Sequence, residues 1–284
     1  MAMKRYILLA GFFFAFIILF GCSEEATTTS STVSKKDAQI MLKDSPELQT
    51  DESQPYLDSF KRQPVEWGEH VSGVKTRIKT DEKKFALTFD ACGGDHGNGY
   101  DEKLIEFLKK EQIPATLFVN ERWIIANEEL FLELDSHPLF QIENHGTTHS
   151  PLSVNGGEAW GIPATESLEE VHDEIMNNHE TVRALTGKEM TLFRSGTAFY
   201  DEVAVEFANA LGYEVVNFDI LGDAGATYSS EQVKTALLEA KPGSIALLHM
   251  NQPRSGTAEG VKQAVPLLQE QGFEFILLEN QSLE

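Results

Sequence analysis

The chain has 284 residues, and 45 Asp and Glu against 23 Lys and Arg give it a formal net charge of −22 at pH 7. So strong an acidic excess repels polyanions, which excludes nucleic acid as a partner and fits a neutral substrate better. With only 2 cysteines, Cys22 and Cys92, the fold rests on a buried core and not on a disulfide framework.

From the N-terminus, Lys4 and Arg5 precede an uncharged run from Tyr6 to Phe20 that ends at Gly21-Cys22. This order reads as a secretory signal, and the run is shorter than the ~20 apolar residues a spanning helix needs. Leu19-Phe20-Gly21-Cys22 resembles a bacterial lipobox. That resemblance implies lipidation of Cys22 and an extracytoplasmic protein anchored to the membrane by its lipid. Residues 23 to about 55 are rich in Ser, Thr, Lys, Asp and Glu, and bury too little apolar surface to offset the entropy of ordering. The expected organisation is a signal peptide over 1–21, the lipidated Cys and a flexible tether over 22–70, and one folded domain over 71–284.

Within the domain, strand-like runs alternate with segments of helical period, as an α/β fold requires. Phe85-Ala-Leu-Thr-Phe leads into Asp90, and a helix over Asp101–Glu111 sets Leu104, Ile105 and Leu108 on one face. A buried strand over Ala115–Val119 follows, and then Leu139-Phe-Gln-Ile-Glu-Asn runs into His145. Residues 150–166 break the rhythm with Pro151, Asn155, Gly156, Gly157, Gly161 and Pro163, the punctuation of a long and functional loop. Ser167-Leu-Glu-Glu opens a helix with a capping-box pattern, and Gly187 closes it, as glycine often does. Met190-Thr-Leu-Phe then leads into Arg194, a helix over Asp201–Leu211 stops at Gly212, and Tyr213-Glu-Val-Val-Asn-Phe leads into Asp219. A helix over Ser230–Ala240, the run Ser244-Ile-Ala-Leu-Leu into His249, a helix over Gly260–Gln271 and a strand over Phe273–Leu278 complete about seven strand–helix units.

Five apolar runs thus end on Asp90, His145, Arg194, Asp219 and His249. A parallel α/β barrel builds its active site from the C-terminal ends of several strands at once, so the chain reads as an enzyme. His145-Gly-Thr-Thr-His149 carries two imidazoles four residues apart, a spacing that puts both on one side of a helical turn and suits a transition metal. Trp160 in the long loop, with Trp123 and Tyr200, offers flat amphipathic faces of the kind that stack on sugar rings.

Across about residues 80–280 these segments resemble the polysaccharide deacetylase family, the NodB-homology or carbohydrate esterase family 4 group. Thr88-Phe89-Asp90 is similar to its first motif, His145-x-x-x-His149 to its second, Arg194-Ser195-Gly196-Thr197 to its third, Asp219 to part of its fourth, and Leu248-His249 to its fifth. The resemblance implies a distorted barrel that removes acetyl groups from an N-acetylated glycan with a divalent metal, usually zinc. It implies Asp90 as general base toward a metal-activated water, and His145 and His149 as metal ligands. It further implies a backbone N–H near Thr197 for the oxyanion and His249 as general acid. Arg194 would hold and tune Asp90, Asp219 would pair with Arg194 or orient His249, and Leu248 would line the pocket for the acetyl methyl.

This chain departs from the family pattern at Ala91, where the first motif normally supplies a metal-binding Asp. Catalytic zinc sites usually have three protein ligands, so another group must complete the set. Asp95 in the loop Cys92-Gly-Gly-Asp-His96 is the favoured third ligand, ahead of Asp90 itself and of Cys92. Gly196 stands where the third motif usually has Pro, and Arg254-Ser-Gly-Thr257 repeats Arg194-Ser-Gly-Thr197 verbatim. Two rival readings stay open, a non-catalytic glycan-binding lipoprotein on the same fold and a metal-independent amide or ester hydrolase.

Overall fold

The computed structural model describes residues 58–284. The expected signal peptide, Cys22 and most of the expected tether lie outside the described residues. In chain order the strands are β1 (Trp67–Gly68), β2 (Lys84–Ala91), β3 (Ala115–Val119), β4 (Phe140–Asn144), β5 (Glu158–Ala159), β6 (Ile162–Pro163), β7 (Leu192–Phe193), β8 (Tyr200–Asp201), β9 (Glu214–Val215), β10 (Ile220–Leu221), β11 (Ser244–His249) and β12 (Glu274–Phe275). The helices are α1 (Glu102–Lys110), α2 (Glu121–Ala126), α3 (Glu128–Ser136), α4 (Leu168–Thr186), α5 (Glu202–Ala210), α6 (Ser230–Leu237) and α7 (Thr257–Glu270).

The parallel sheet runs in the order β10-β11-β2-β3-β4-β7-β9. Its two end strands do not pair among the described residues, so the sheet is an open, distorted barrel. β12 joins at the foot of β2, pairing Lys84 and Phe85, while β3 pairs with the upper half of the same edge from Thr88 to Ala91. The other edge is matched by β11, which brings His249 level with Asp90. This register sets two ionisable groups side by side at the C-terminal end of the barrel.

Side chains alternate across a strand, so β2 divides its residues between two cores. Phe85, Leu87, Phe89 and Ala91 pack with Leu104, Leu108 and Val261 in the layer under the helices. Ala86 lies in the barrel interior with Phe118, Val216, Ile245 and Leu247. Thr88 and Asp90 have the parity of Ala86. Buried on both faces, β2 reads as the near-continuous apolar run typical of a central parallel strand.

α4 begins as its sequence predicts, with the Ser167 side chain accepting from the Glu170 N–H, and ends at Gly187 with φ of 72°. Only half of the expected capping box forms, because the Glu170 carboxylate accepts from the Glu166 N–H. The buried stripe of α4 holds Val171, Ile175 and Val182, and also the polar Glu174 and Asn178. The expected tether ends earlier than residue 70, since Phe60 is buried with its ring 5.2 Å from that of Phe207. Glu202 accepts from the N–H groups of Val65 and Glu66, and β1 pairs with β8.

Candidate active site

Asp90 stands at the upper end of β2 with its side chain in the interior, almost wholly buried. One carboxylate oxygen accepts from Nη1 of Arg194 at 2.9 Å, which leaves the other 3.6 Å from His145 Nε2. Arg194 follows β7 and is 0% exposed. Its donors are taken by the carbonyls of Val216 and Asn217, the Thr88 hydroxyl and Asp90, and its guanidinium lies 4.1 Å over the ring of Phe118. A buried guanidinium held in a planar fork by this many acceptors is fixed in place, and it fixes Asp90 in turn.

His145 and His149 come together as their spacing suggests, with ring centroids 5.0 Å apart, but not on a helical turn. They sit on a loop in which His149 itself takes φ of 70°. The loop is clamped from α4, where buried Glu174 accepts from the N–H groups of Thr148, His149 and Ser150. From α2 the N-cap Asn120 donates to the carbonyls of His145 and Gly146. His145 spends Nδ1 on the Arg194 carbonyl at 2.9 Å, so Nδ1 carries the proton and Nε2 presents its lone pair. Burial also holds the His145 imidazole below its ordinary pKa, in the neutral form a ligand needs. His149 Nε2 is buried with no hydrogen-bond partner among the described residues. Gly196, in place of a larger residue, is what admits this ring: a Cβ there would lie 2.4 Å from His149 Cγ.

His249 ends β11, and its Nδ1 lies 2.8 Å from Asp223 while its backbone N–H donates to the same carboxylate. Asp223 is 0% exposed and also accepts from the Thr257 hydroxyl and the Ala226 N–H. Burial alone would lower the His249 pKa, but the charge and hydrogen bond of Asp223 outweigh it and hold the imidazole well above 6.5. Asp219 does not take part, contrary to the expectation that it pairs with Arg194 or orients His249. Its carboxylate is occupied by Arg77, by the Ser244 hydroxyl at 2.9 Å and by the Ile245 N–H at 2.8 Å. The expected strand over Tyr213–Phe218 shrinks to β9, and a separate strand β10 follows, with Asp219 just before it and Asp223 after it. The repeated Arg-Ser-Gly-Thr finds its use here as well, since its second copy supplies Thr257 behind Asp223.

The third member of the histidine cluster is Cys92 and not Asp95. Cys92, His145 and His149 place one donor atom each within 4.8 Å of one another, and Cys92 Sγ lies 3.9 Å from His145 Nε2. Asp95 is exposed on a turn closed by hydrogen bonds between Gly93, Gly94 and Gly97, and it is not part of the histidine cluster. Burial pushes the Cys92 thiol up, but the imidazoles of His149 and His249 reverse this and bring it to about 6.

Leu248 faces the helix-side core, on the same side as its register partner Phe89, so it does not line the pocket as expected. Leu247, one residue earlier, belongs to the interior cluster. Thr197 is half-buried in the turn after Arg194, and its hydroxyl has no partner among the described residues. Trp160 sits at the tip of the β5–β6 hairpin, 77% exposed, braced edge-on against Phe199 with centroids 5.8 Å apart.

A polysaccharide deacetylase family model matches residues 77–216, the stretch that carries Asp90, both histidines and Arg194. The chain belongs to the polysaccharide deacetylase family. It is 26% identical over 241 residues to peptidoglycan-N-acetylmuramic acid deacetylase PdaA of Bacillus subtilis, covering 78% of this chain and 84% of that one. Its fold is similar to a family 4 carbohydrate esterase from Bacillus anthracis, with 25% identity, a TM-score of 0.58, and 77% of this chain matching 95% of that one. It is also similar to a family 4 pseudoenzyme from Bacillus anthracis, with 22% identity, a TM-score of 0.59, and 70% of this chain against 65% of that one. In this member of the family, sequence reasoning missed Asp223, Glu174, Thr257 and the place of Cys92. Glu174 had a signal, because it falls at i+3 from Val171 on the apolar stripe of α4, where a solvated Glu has no place.

Proposed function

We propose that this polysaccharide deacetylase removes N-acetyl groups from a cell-surface glycan, peptidoglycan or another N-acetylglucosamine polymer, by metal-assisted attack of water. The observation that carries the reading is a matched pair side by side on adjacent strands: a carboxylate held by a buried guanidinium, Asp90 with Arg194, and an imidazole held by a buried carboxylate, His249 with Asp223. A binding surface has no need of such a pair, whereas amide hydrolysis needs both a base and an acid.

The donor set fits a divalent cation. His145 Nε2 is freed by the bond at its Nδ1, and His149 Nε2 is buried and unpartnered among the described residues. Zinc suits imidazole and thiolate donors. A cation held by His145, His149 and Cys92 would supply Lewis acidity toward the acetyl carbonyl and toward the attacking water. Asp90 takes the proton of that water as its oxygen adds to the carbonyl carbon. A backbone N–H near Thr197 holds the negative oxygen that forms. His249, with Nδ1–H directed at Asp223, gives a proton from Nε2 to the departing nitrogen as the C–N bond breaks, leaving acetate and an amine. Arg194 and Asp223 act as positioning residues. Trp160 offers a face for a sugar ring beyond the cleft.

Cys22 lipidation and an extracytoplasmic, membrane-anchored location complete the reading, and metabolic labelling with palmitate in the parent but not in Cys22→Ala tests that part. Activity is tested by acetate and amine release from N-acetylated chito-oligosaccharides and peptidoglycan, with and without zinc and chelator. Release that needs metal is expected. Glycan retention on the folded, zinc-saturated protein without release assigns it instead to the glycan-binding class, and release untouched by exhaustive chelation assigns it to the metal-independent hydrolases.

A further inference from the structure

We propose that Cys92 is the third protein ligand of the metal site, so that this chain holds its cation through a Cys-His-His set selective for thiophilic metals. The inference rests on reading the site as metal-dependent, but metal binding is measured apart from turnover. A set with no carboxylate differs in chemical class from the Asp95 completion that the sequence favours.

Strand parity gives the first argument. Asp90 points into the barrel and Ala91 into the helix-side core, where it packs fully buried beside Leu104 and Trp123. The next position, 92, returns to the interior, where the histidines are. Distance gives the second. Zinc–sulfur and zinc–nitrogen bonds of about 2.3 and 2.0–2.1 Å in tetrahedral arrangement set sulfur and nitrogen about 3.6 Å apart, and Cys92 Sγ is 3.9 Å from His145 Nε2. His145 presents a bare nitrogen here by its tautomer, and His149 Nε2 is buried without a hydrogen-bond partner among the described residues.

The backbone of Cys92 is itself held. Its carbonyl accepts from Arg122 Nη2 at 3.0 Å, and Gly93 turns at φ of 70° so close to α2 that a Cβ would come within 2.5 Å of the Trp123 nitrogen. That turn carries the following loop outward, which is why Asp95 ends exposed. A thiolate with two imidazoles favours zinc-like and softer cations over magnesium and calcium.

The test is cobalt(II) substitution of the full chain, read by absorbance, beside zinc affinity by competition with a chelator. One cobalt per chain with a thiolate-to-cobalt charge-transfer band in the near ultraviolet is expected. Cys92→Ser should abolish the band and weaken zinc at least about 100-fold, more than the loss of an outer-shell partner causes. Cys92→Asp should keep one cobalt per chain without the band, which separates a lost sulfur ligand from a lost fold. No cobalt uptake by the parent, cobalt bound without the band, or a band that persists in Cys92→Ser and so arises at Cys22, overturns the assignment.

Discussion

The barrel buries carboxylates in two opposite ways. At the C-terminal ends of the strands Asp90 meets Arg194 and Asp223 meets His249, each a full charge pair. Near the end of β4, Glu143 is buried with no cation bound to it among the described residues; its oxygens accept from Gln141 and from the N–H groups of Thr191 and Leu192. It lines a cavity of about 910 Å³ with Phe140, Tyr213 and Leu278. Burial lifts the Glu143 pKa to about 7, whereas the His249 pair, opposing burial, holds Asp223 below its usual value. One place keeps its charges paired and the other trades charge for backbone organisation.

Substitutions at these two places separate turnover from stability. Asp90→Asn should cost the most, about 10²–10⁴-fold in kcat from loss of the base. It should also lower stability, by up to about 3–5 kcal/mol, by leaving the Arg194 guanidinium buried without its partner charge; denaturant unfolding measures that part. Asp223→Asn should come next. It removes the charge that raises His249, so the alkaline limb of the kcat–pH profile, where the acid loses its proton, moves to lower pH. A limb that stays in place would show that another group is the acid.

Glu143→Gln should leave turnover unchanged and alter only the pH dependence of unfolding. An unfolded Glu ionises near 4.5 and the native one near 7. Between these values the native state keeps a proton that the unfolded chain has released. Stability therefore falls as pH rises through this window, by up to about 3 kcal/mol, and the amide should flatten that slope. Trp160→Ala should have the smallest effect, a rise in KM of roughly 3–10-fold for long glycans and little for short ones, consistent with the ~1 kcal/mol scale of aromatic contacts.

The same contrast explains what could be read from sequence. Asp90, His145, Arg194 and His249 were readable because each directly follows, or closes, an apolar run, and parallel barrels place such residues at one rim. Asp223 was not, because β10 is only two residues long and the apolar run before Asp219 continues past β9 without marking where it ends. The resemblance assigns the pocket to Leu248, and only the pairing of β11 with β2 shows that Leu247 faces the interior instead. Asp95 is favoured over Cys92 because Gly93 and Gly94 would let the loop fold back, yet in the structure Asp95 is exposed and Cys92 sits with the histidines. Local periodicity thus identified the strands, while long-range register and turn geometry decided which neighbouring side chain reaches the site.

The most direct test is acetate release from N-acetylated chito-oligosaccharides and peptidoglycan by the zinc-loaded full chain, set beside its chelated form. The account predicts release that chelation abolishes and zinc restores. Folded, metal-loaded protein that releases acetate from none of these glycans would contradict it.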